Sequence, residues 1–387
     1  MSRLEKMINE VCSEKVEYKR IDEICNISRG RVMSKEYIRD NQGDFPVYSS
    51  QTENDGKLGM ISSYDYEGEY ITWTTDGANA GSVFYRKGKF NITNVCGLLE
   101  CTRTDVYTKF LYYVLNSVAK NYVNKGMGNP KLMSNVMGKI YIPVPPSQIQ
   151  YEIISILDAF TELIAELTTE LMERKRQYEY CLQKLLKFSD ASIKYEAIGS
   201  CCTIEKGKTP IQKAVAGLYP LVTTTVNRQT SNSYQFDCSA VCVPLISSRG
   251  HGVASISYIY HQEGKFALGN ILCAIIPNDP NRISAKFLKY YLFYYKDILL
   301  VPLMRGGANV SLPIDALRNV KVPIPPLHIQ EYIVRVCDKF EKYIFDLLPA
   351  EIEARQKQYE YYRDKLLAFK EIPTAEALVA ATKEDFK

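Results

Sequence analysis

The chain has 387 residues, 46% of them hydrophobic and 24% charged, with a formal net charge of +4. This composition excludes a disordered or low-complexity protein, and the length leaves room for roughly two to four domains. No apolar run approaches the roughly 18 residues of a membrane span, and so mild a positive charge permits nucleic acid as a partner without requiring it.

The N-terminal "SRLEKMINEVC" carries charges where a secretory signal would be apolar. The 11 cysteines are odd in number and lack CxxC spacing, which fits reduced thiols and a cytoplasmic protein. The opening "VEYKRIDEICNISRG" (16–30) starts with a short strand pattern. Further strand-and-turn runs follow, rich in Tyr, Ile, Val and Thr and broken by Gly and Asp: "DFPVYSSQ" (44–51), "GEYITWTTDG" (68–77) and "GSVFYRKGKF" (81–90). "TKFLYYVLNSVAKNYV" (108–123) reads as an amphipathic helix.

"IPVPPSQIQ" (142–150) is an extended lead-in, since proline and its predecessor resist helix. Beyond Ser147, apolar residues fall at 149, 153, 156, 160, 163 and 167, then 171, 178, 181, 185 and 188, passing through Arg174. That is a heptad seam with a stutter. Its 40 residues, 148–187, predict about 60 Å of helix.

The series then begins again. "IKYEAIGSCCTIEKG" (193–207) echoes the opening, followed by "YPLVTTT" (219–225), "VCVPLISSRG" (241–250), "ASISYIYHQ" (254–262) and the helical "AKFLKYYLFYYKDILL" (285–300). "VPIPPLHIQ" (322–330) repeats the Pro-Pro lead-in, Pro323 standing 180 residues after Pro143. Asp158 and Phe160 recur as Asp338 and Phe340, and "QYEY" at 177–180 recurs at 358–361, now 181 residues on. The "GKF" of 88–90 recurs at 264–266. The second seam runs through Ile329, Ile333, Val336, Phe340, Tyr343 and Leu347, jumps five residues to Ile352, then continues to Tyr359, Tyr362, Leu366 and Phe369. Pro349 lies in the jump and should kink the helix or start a new one.

The chain therefore reads as a tandem duplication, with kept frameworks and diverged interiors. The expected class is α+β: two mixed α/β domains (1–146 and 189–326) separated by two long antiparallel helices (147–188 and 327–370) that form a coiled coil with an internal pseudo-twofold repeat, then a tail (371–387). The other reading of the helices is one independent core helix per domain. Spacer residues on the seam are Phe160, Leu167, Tyr178, Leu185, Phe340, Leu347, Tyr359 and Leu366, with Gln150 and Gln330 at the helix starts.

The strand ends are polar. They read as turns, and they also suit hydrogen bonding to bases, where Gln and Asn grip adenine and Arg grips guanine. The first domain offers Ser49, Ser50, Gln51, Thr52, Thr74, Thr75, Asp76 and Asn79. The second offers Thr224, Thr225, Asn227, Arg228, Ser248, Arg249 and His251. Lys125, Lys131, Lys208 and Arg305 suit phosphates. No GxGxxG, GxxxxGK[ST] or HExxH occurs, and no acidic dyad stands out, so no catalytic residue and no metal site is assigned. A zinc site from Cys238, Cys242, His251 and His261 has spacings unlike any finger.

The paired "P-[VI]-P-P-x-x-I-Q" runs, the "QYEY" helix ends and "EYITWTTDGANAG" (69–81) with "NVCG" (94–97) resemble the specificity subunit of Type I restriction-modification systems. The resemblance implies a non-catalytic subunit in which each domain reads one half of a split, asymmetric site on double-stranded DNA. It implies that the helices set the gap, that two methyltransferase subunits dock on the chain and methylate adenine N6 with S-adenosylmethionine, and that motor-nuclease restriction subunits join them. This chain itself would bind no cofactor. The alternatives are the recognition part of another bipartite restriction-modification type, or a two-domain protein-interaction scaffold.

Overall fold

The computed structural model describes residues 15–126, 128–189, 192–225, 229–250 and 252–371. The N-terminal "SRLEKMINEVC" and all of the tail beyond residue 371 lie outside these. In chain order come β1 (Lys15–Arg20), β2 (Cys25–Arg29), β3 (Gln42–Tyr48), β4 (Lys57–Ile61), β5 (Tyr66–Thr74), β6 (Val83–Ile92), β7 (Cys96–Cys101), α1 (Thr108–Val118), β8 (Tyr141–Val144) and the long α2 (Ser147–Leu185). Then follow β9 (Lys194–Ala197), β10 (Cys202–Lys206), β11 (Tyr219–Val222), β12 (Gln229–Ser231), β13 (Phe236–Asp237), β14 (Ala240–Pro244), β15 (Tyr260–Gln262), β16 (Lys265–Leu268), β17 (Leu272–Pro277), α3 (Ala285–Tyr294) and β18 (Lys321–Ile324). Helix α4 (Leu327–Glu341), a π-helical turn (Lys342–Leu347), α5 (Leu348–Leu366) and β19 (Lys370–Glu371) end the series. Among the described residues, no helix is long and apolar enough to cross a membrane.

The chain divides into two units, Met1–Glu166 with Ile352–Lys387, and Leu167–Glu351. Unit one is built on a six-stranded sheet in the order β2-β7-β5-β6-β3-β4. Its spine is the β5–β6 hairpin, paired from Tyr66↔Phe90 to Trp73↔Val83. From Ile71 onward β5 is buried at every residue: on one face α1 lays Phe110, Leu111, Val114 and Leu115 into one core with Ile71, Trp73 and Leu99, and on the other Thr72 meets the buried Arg86. Each such buried side chain contributes about 1.5–3 kcal/mol. A small sheet orders β19-β1-β8. The same core takes Ile153 and Leu157 of α2 and Tyr359 and Leu366 of α5, with Phe160 stacked on Tyr362 at 5.6 Å between centroids.

Unit two carries two four-stranded sheets, β10-β17-β14-β15 and β12-β11-β16-β13, and the pair β18-β9. Phe287, Leu288 and Leu292 of α3 pack with Val241, Val243 and Ile275 and with Tyr178, Leu182 and Leu186. Phe236, Phe266 and Leu268 form a second cluster. Tyr178 stacks on Phe340 at 5.6 Å, and its hydroxyl donates to Glu341.

Both Pro-Pro lead-ins are fixed in the same way. The Gln150 amide donates to the Asp105 and Pro145 carbonyls and accepts from the Tyr107 N–H. The Gln330 amide donates to the Arg282 and Pro325 carbonyls and accepts from the Ser284 N–H. Two turns later, Asp158 accepts from Lys109 at 2.7 Å and Tyr113 at 2.5 Å. Asp338 accepts from Lys286 and Tyr290, each at 2.7 Å. Burial, then the facing carboxylates, push both phenols above their usual range.

The buried stripes differ from the expected seams. Leu163 is 36% exposed, Ile329 37% and Leu347 50%, whereas Leu157, Leu182, Ile344 and Leu348 are buried. Each helix segment meets its own domain as well as a neighbouring helix segment, so its apolar face is wider than a heptad seam. The five-residue jump is taken up by the π turn, where Leu348 N–H bonds to the Tyr343 carbonyl, five residues back. A π turn is a one-residue insertion into a helix. It moves Ile344 and Leu348 inward in place of Tyr343 and Leu347, and Pro349, which has no N–H to give to the ladder, comes directly after it.

Candidate nucleic-acid interface

In unit one, three strand ends converge on the turn between β6 and β7. Thr93 N–H bonds to the Tyr48 carbonyl, Thr75 N–H to Val95, Gly30 N–H to Cys96, and Arg31 bridges Thr93. In unit two, the turn between β16 and β17 gathers the same junction: Gly269 N–H bonds to Val222, Leu245 N–H to Ile271, and Gly207 N–H to Leu272. The approach is so close that a Cβ on Gly30 would stand 2.0 Å from the Ile92 oxygen, and one on Gly207 2.1 Å from the Gly269 oxygen. Only glycine fits either place.

A second loop is bridged to each junction. Gly77 N–H bonds to the Pro130 carbonyl and Leu132 N–H to Thr75, and Asp76 bridges Lys131. In unit two, Ser247 N–H bonds to Val310 and Leu312 N–H to Leu245, and Ile246 bridges Ser311. The fully buried Trp73 donates its indole N–H to the Leu132 carbonyl, which pins this loop in unit one.

The junctions collect nearly all the described candidates from the sequence. In unit one, Ser49 accepts from the Thr93 hydroxyl at 2.9 Å, Gln51 donates to the Lys57 carbonyl, Ser50 and Asp76 are half-buried, and Thr52, Asn79, Lys125 and Lys131 are exposed. Thr74 and Thr75 point inward instead. They are 0% and 1% exposed, and their hydroxyls are taken by the carbonyls of Asn79 and Val95. As they stand they fasten the turn. In unit two, Lys208, Thr225, Ser248, Arg249 and Arg305 are exposed and Thr224 is half-buried. Lys208 receives its backbone support from Gln235, and Ser248 bonds to Ser255 and Ser257. Asn227, Arg228 and His251 lie outside the described residues. Of the zinc candidates, Cys242 is buried in β14 and His261 faces Ser239. Among the described residues no group of His, Cys, Asp or Glu could hold a metal.

The helix residues stand apart from the junctions. Gln150, Gln330, Tyr178, Tyr359 and Leu366 are buried, Phe160, Leu167, Leu185 and Phe340 are half-buried, and Leu347 is exposed.

Three features escaped the sequence reading. The turns themselves carry exposed Asn94 and Asn270. The 176-residue offset joining the two "GKF" runs, carried four residues further, would have found them. Arg86 is 3% exposed and holds up the 49–56 loop. Its guanidinium bonds to the Asp55 carboxylate and carbonyl and to Thr72, and lies 3.6 Å from the Tyr48 ring centroid. That grip keeps Asn54, Asp55 and Gly56 in left-handed backbone. Beside Lys208, Lys213, Asn232 and Tyr234 line an open groove of about 550 Å³.

Polar loops clustered at one end of a sheet, in two domains that share a hydrogen-bonded frame and differ in side chains, define a duplicated recognition protein. Residues 13–174 and 193–354 match the Type I restriction modification DNA specificity domain, and the chain belongs to that family. It is 31% identical over 369 residues to S.MpnORF507P of Mycoplasma pneumoniae, whose name describes a type I specificity subunit, spanning 90% of this chain and 96% of that one. It is 46% identical over 164 residues to the specificity subunit of the type I restriction enzyme MpnII from the same organism, 41% of this chain and 49% of that one. Among solved structures, the Type I S subunit from M. genitalium shares the fold, with a TM-score of 0.64 at 16% identity over 91% of this chain and 96% of its own. The family's role is DNA recognition by a non-catalytic subunit, with catalysis in partner subunits.

Proposed function

We propose that each unit reads one half of a bipartite, asymmetric site on double-stranded DNA, unit one through the loops around Thr93–Cys96 and unit two through those around Gly269–Leu272. The observation that carries this is the repeated junction: one backbone frame presents Ser49, Gln51 and Lys131 in one unit and Thr224, Thr225 and Ser311 in the other. Shared frames with unlike side chains suit two different half-sites. In this reading residues 1–146 and 189–326 are the recognition domains, and 147–188 and 327–370 the spacers. An antiparallel coiled coil with pseudo-twofold symmetry accounts for two pairings at once: the start of α2 beside α5 in unit one, and the rest of α2 beside α4 in unit two. The 39 residues of α2, about 58 Å of helix, set the unread gap.

Two methyltransferase subunits, which carry S-adenosylmethionine and modify adenine N6, dock on this cytoplasmic chain, and motor-nuclease restriction subunits complete the assembly. The test replaces residues 1–146 with the matching segment of a relative and maps modified adenines by single-molecule sequencing. One half-site is expected to change while the other half and the gap stay fixed. A change in both halves overturns the assignment of one unit to each half.

A further inference from the structure

We infer that Asn94 and Asn270 read a base pair common to both half-sites, an A·T pair, by gripping adenine through N7 and N6. The inference rests on the reading of the two units given above. Each asparagine is the second residue of a four-residue turn, closed by Cys96 N–H to the Thr93 carbonyl and by Leu272 N–H to the Gly269 carbonyl, both at 3.0 Å. The two residues are equivalent, standing in the turns that the same three strand ends support.

Nothing in either fold calls for asparagine there. The second position of such a turn suits most residues, and the one bond made there, Asn270 N–H to the Thr209 carbonyl, is a backbone bond that any residue but proline supplies. Neither residue has the left-handed backbone that favours Asn, a conformation confined to Asn54 and Asp55 among the described non-glycine residues. Both side chains are exposed, and no hydrogen bond within the described residues engages either carboxamide. Meanwhile the flanking positions along the chain have been exchanged between the copies: Asn91 for Ala267, Ile92 for Leu268, Thr93 for Gly269, Val95 for Ile271 and Cys96 for Leu272. A free amide kept at the centre of two otherwise unlike surfaces serves something outside the chain that both surfaces meet.

The chemistry of the side chain names that object. A carboxamide offers one donor and one acceptor side by side. In the major groove, adenine presents an acceptor at N7 beside a donor at N6, and an asparagine satisfies both. Guanine presents two acceptors and cytosine a lone donor, so neither is matched by both arms.

The experiment uses the chain in complex with its methyltransferase subunits, reading modification across a DNA library randomised at every position. If the wild-type complex selects no two-part site, the reading of the two units fails, whatever the variants do. With a two-part site in hand, Asn94→Ala is expected to relax one position of one half-site by roughly ten- to a hundredfold, the worth of a bidentate amide–adenine pair. That position should be A·T in the wild-type site. Asn270→Ala should do the same in the other half-site only. Asn94→Asp keeps the shape but loses the donor to N7, so it should relax the same position while melting at the wild-type temperature. Relaxation at a pair other than A·T, equal weakening on all sequences, or an unchanged profile overturns the inference.

Discussion

Gln150 is the clearest case of one side chain setting the course of the chain. Its amide is 0% exposed and holds two carbonyls and one N–H where the Pro-Pro lead-in turns into α2. In Gln150→Glu, one oxygen still accepts from Tyr107 N–H, but the other faces the carbonyls of Asp105 and Pro145 and must carry a proton to bond either. Burial and those facing oxygens raise the folded pKa of the new carboxyl above its unfolded value. At low pH the single O–H of the protonated acid thus keeps one of the two carbonyl bonds, and that bond is lost as pH rises through the folded pKa. Denaturant melts should place the variant about 1–3 kcal/mol below wild type in acid, for the carbonyl left without a donor, and lower still in alkali; a loss independent of pH counts against this account. The same scale shows what the sequence could and could not reveal. The repeated "IQ" made Gln150 and Gln330 legible as special, yet not as buried clamps. Thr74 and Thr75 read as base contacts because polarity is visible in a sequence, whereas the direction of a side chain on a strand end depends on which face the fold covers. Arg86 was invisible for the same reason, since a lone Arg between Tyr85 and Lys87 looks like a solvated charge.

Helix and strand periods were easier to read than their faces. β5, β6, α1 and α3 fall where the runs of Tyr, Ile, Val and Leu place them, because alternation and 3.6-residue spacing are local properties. The phase of the helical stripe is a tertiary property, and there the heptad reading slipped. The heptad seam puts Leu163 and Leu347 inward, but Leu157 and Leu348 take the buried places. The π turn accounts for the second slip, since an extra residue wound into one wide turn is a choice between helix geometries that no local period dictates. Within unit two the helical pair is joined by the Tyr178–Phe340 stack, with Glu341 accepting from Tyr178 and from Lys289 at 2.5 Å. Phe340→Ala removes the stacked ring and leaves Tyr178 packed on one side only. The expected cost is about 2–4 kcal/mol, below the full-core value because Phe340 is half-buried. Hydrogen exchange should show the faster opening concentrated in α4 and the adjoining part of α2; an unchanged exchange map there speaks against the stack as a tie.

At the scale of the whole molecule, the duplication itself distinguishes surface kept for folding from surface kept for a partner. The two "QYEY" runs retain Tyr178 and Tyr359 for an evident reason, since both are buried. The second tyrosines have no such reason. Tyr180 is 60% exposed and Tyr361 55%, and each has a lysine one turn on, Lys184 at 5.5 Å and Lys365 at 4.4 Å from the ring centroid. Gln177 and Gln358, and Glu179 and Glu360, are likewise exposed pairs, while the intervening positions have diverged to Cys181 and Tyr362, Leu182 and Arg363, and Gln183 and Asp364. One such patch belongs to unit two and the other to unit one. Under the proposed assembly, two identical methyltransferase subunits need the same surface twice, and exposed tyrosines beside cations are the residues that interfaces favour. Tyr180→Asp and Tyr361→Asp alter solvent-facing positions, so each should fold as wild type by circular dichroism. Native mass spectrometry of each single variant with excess methyltransferase is expected to show one subunit bound in place of two, and the double variant none. Retention of two subunits by the double variant would move the docking surface off these helix ends and leave the kept tyrosines unexplained.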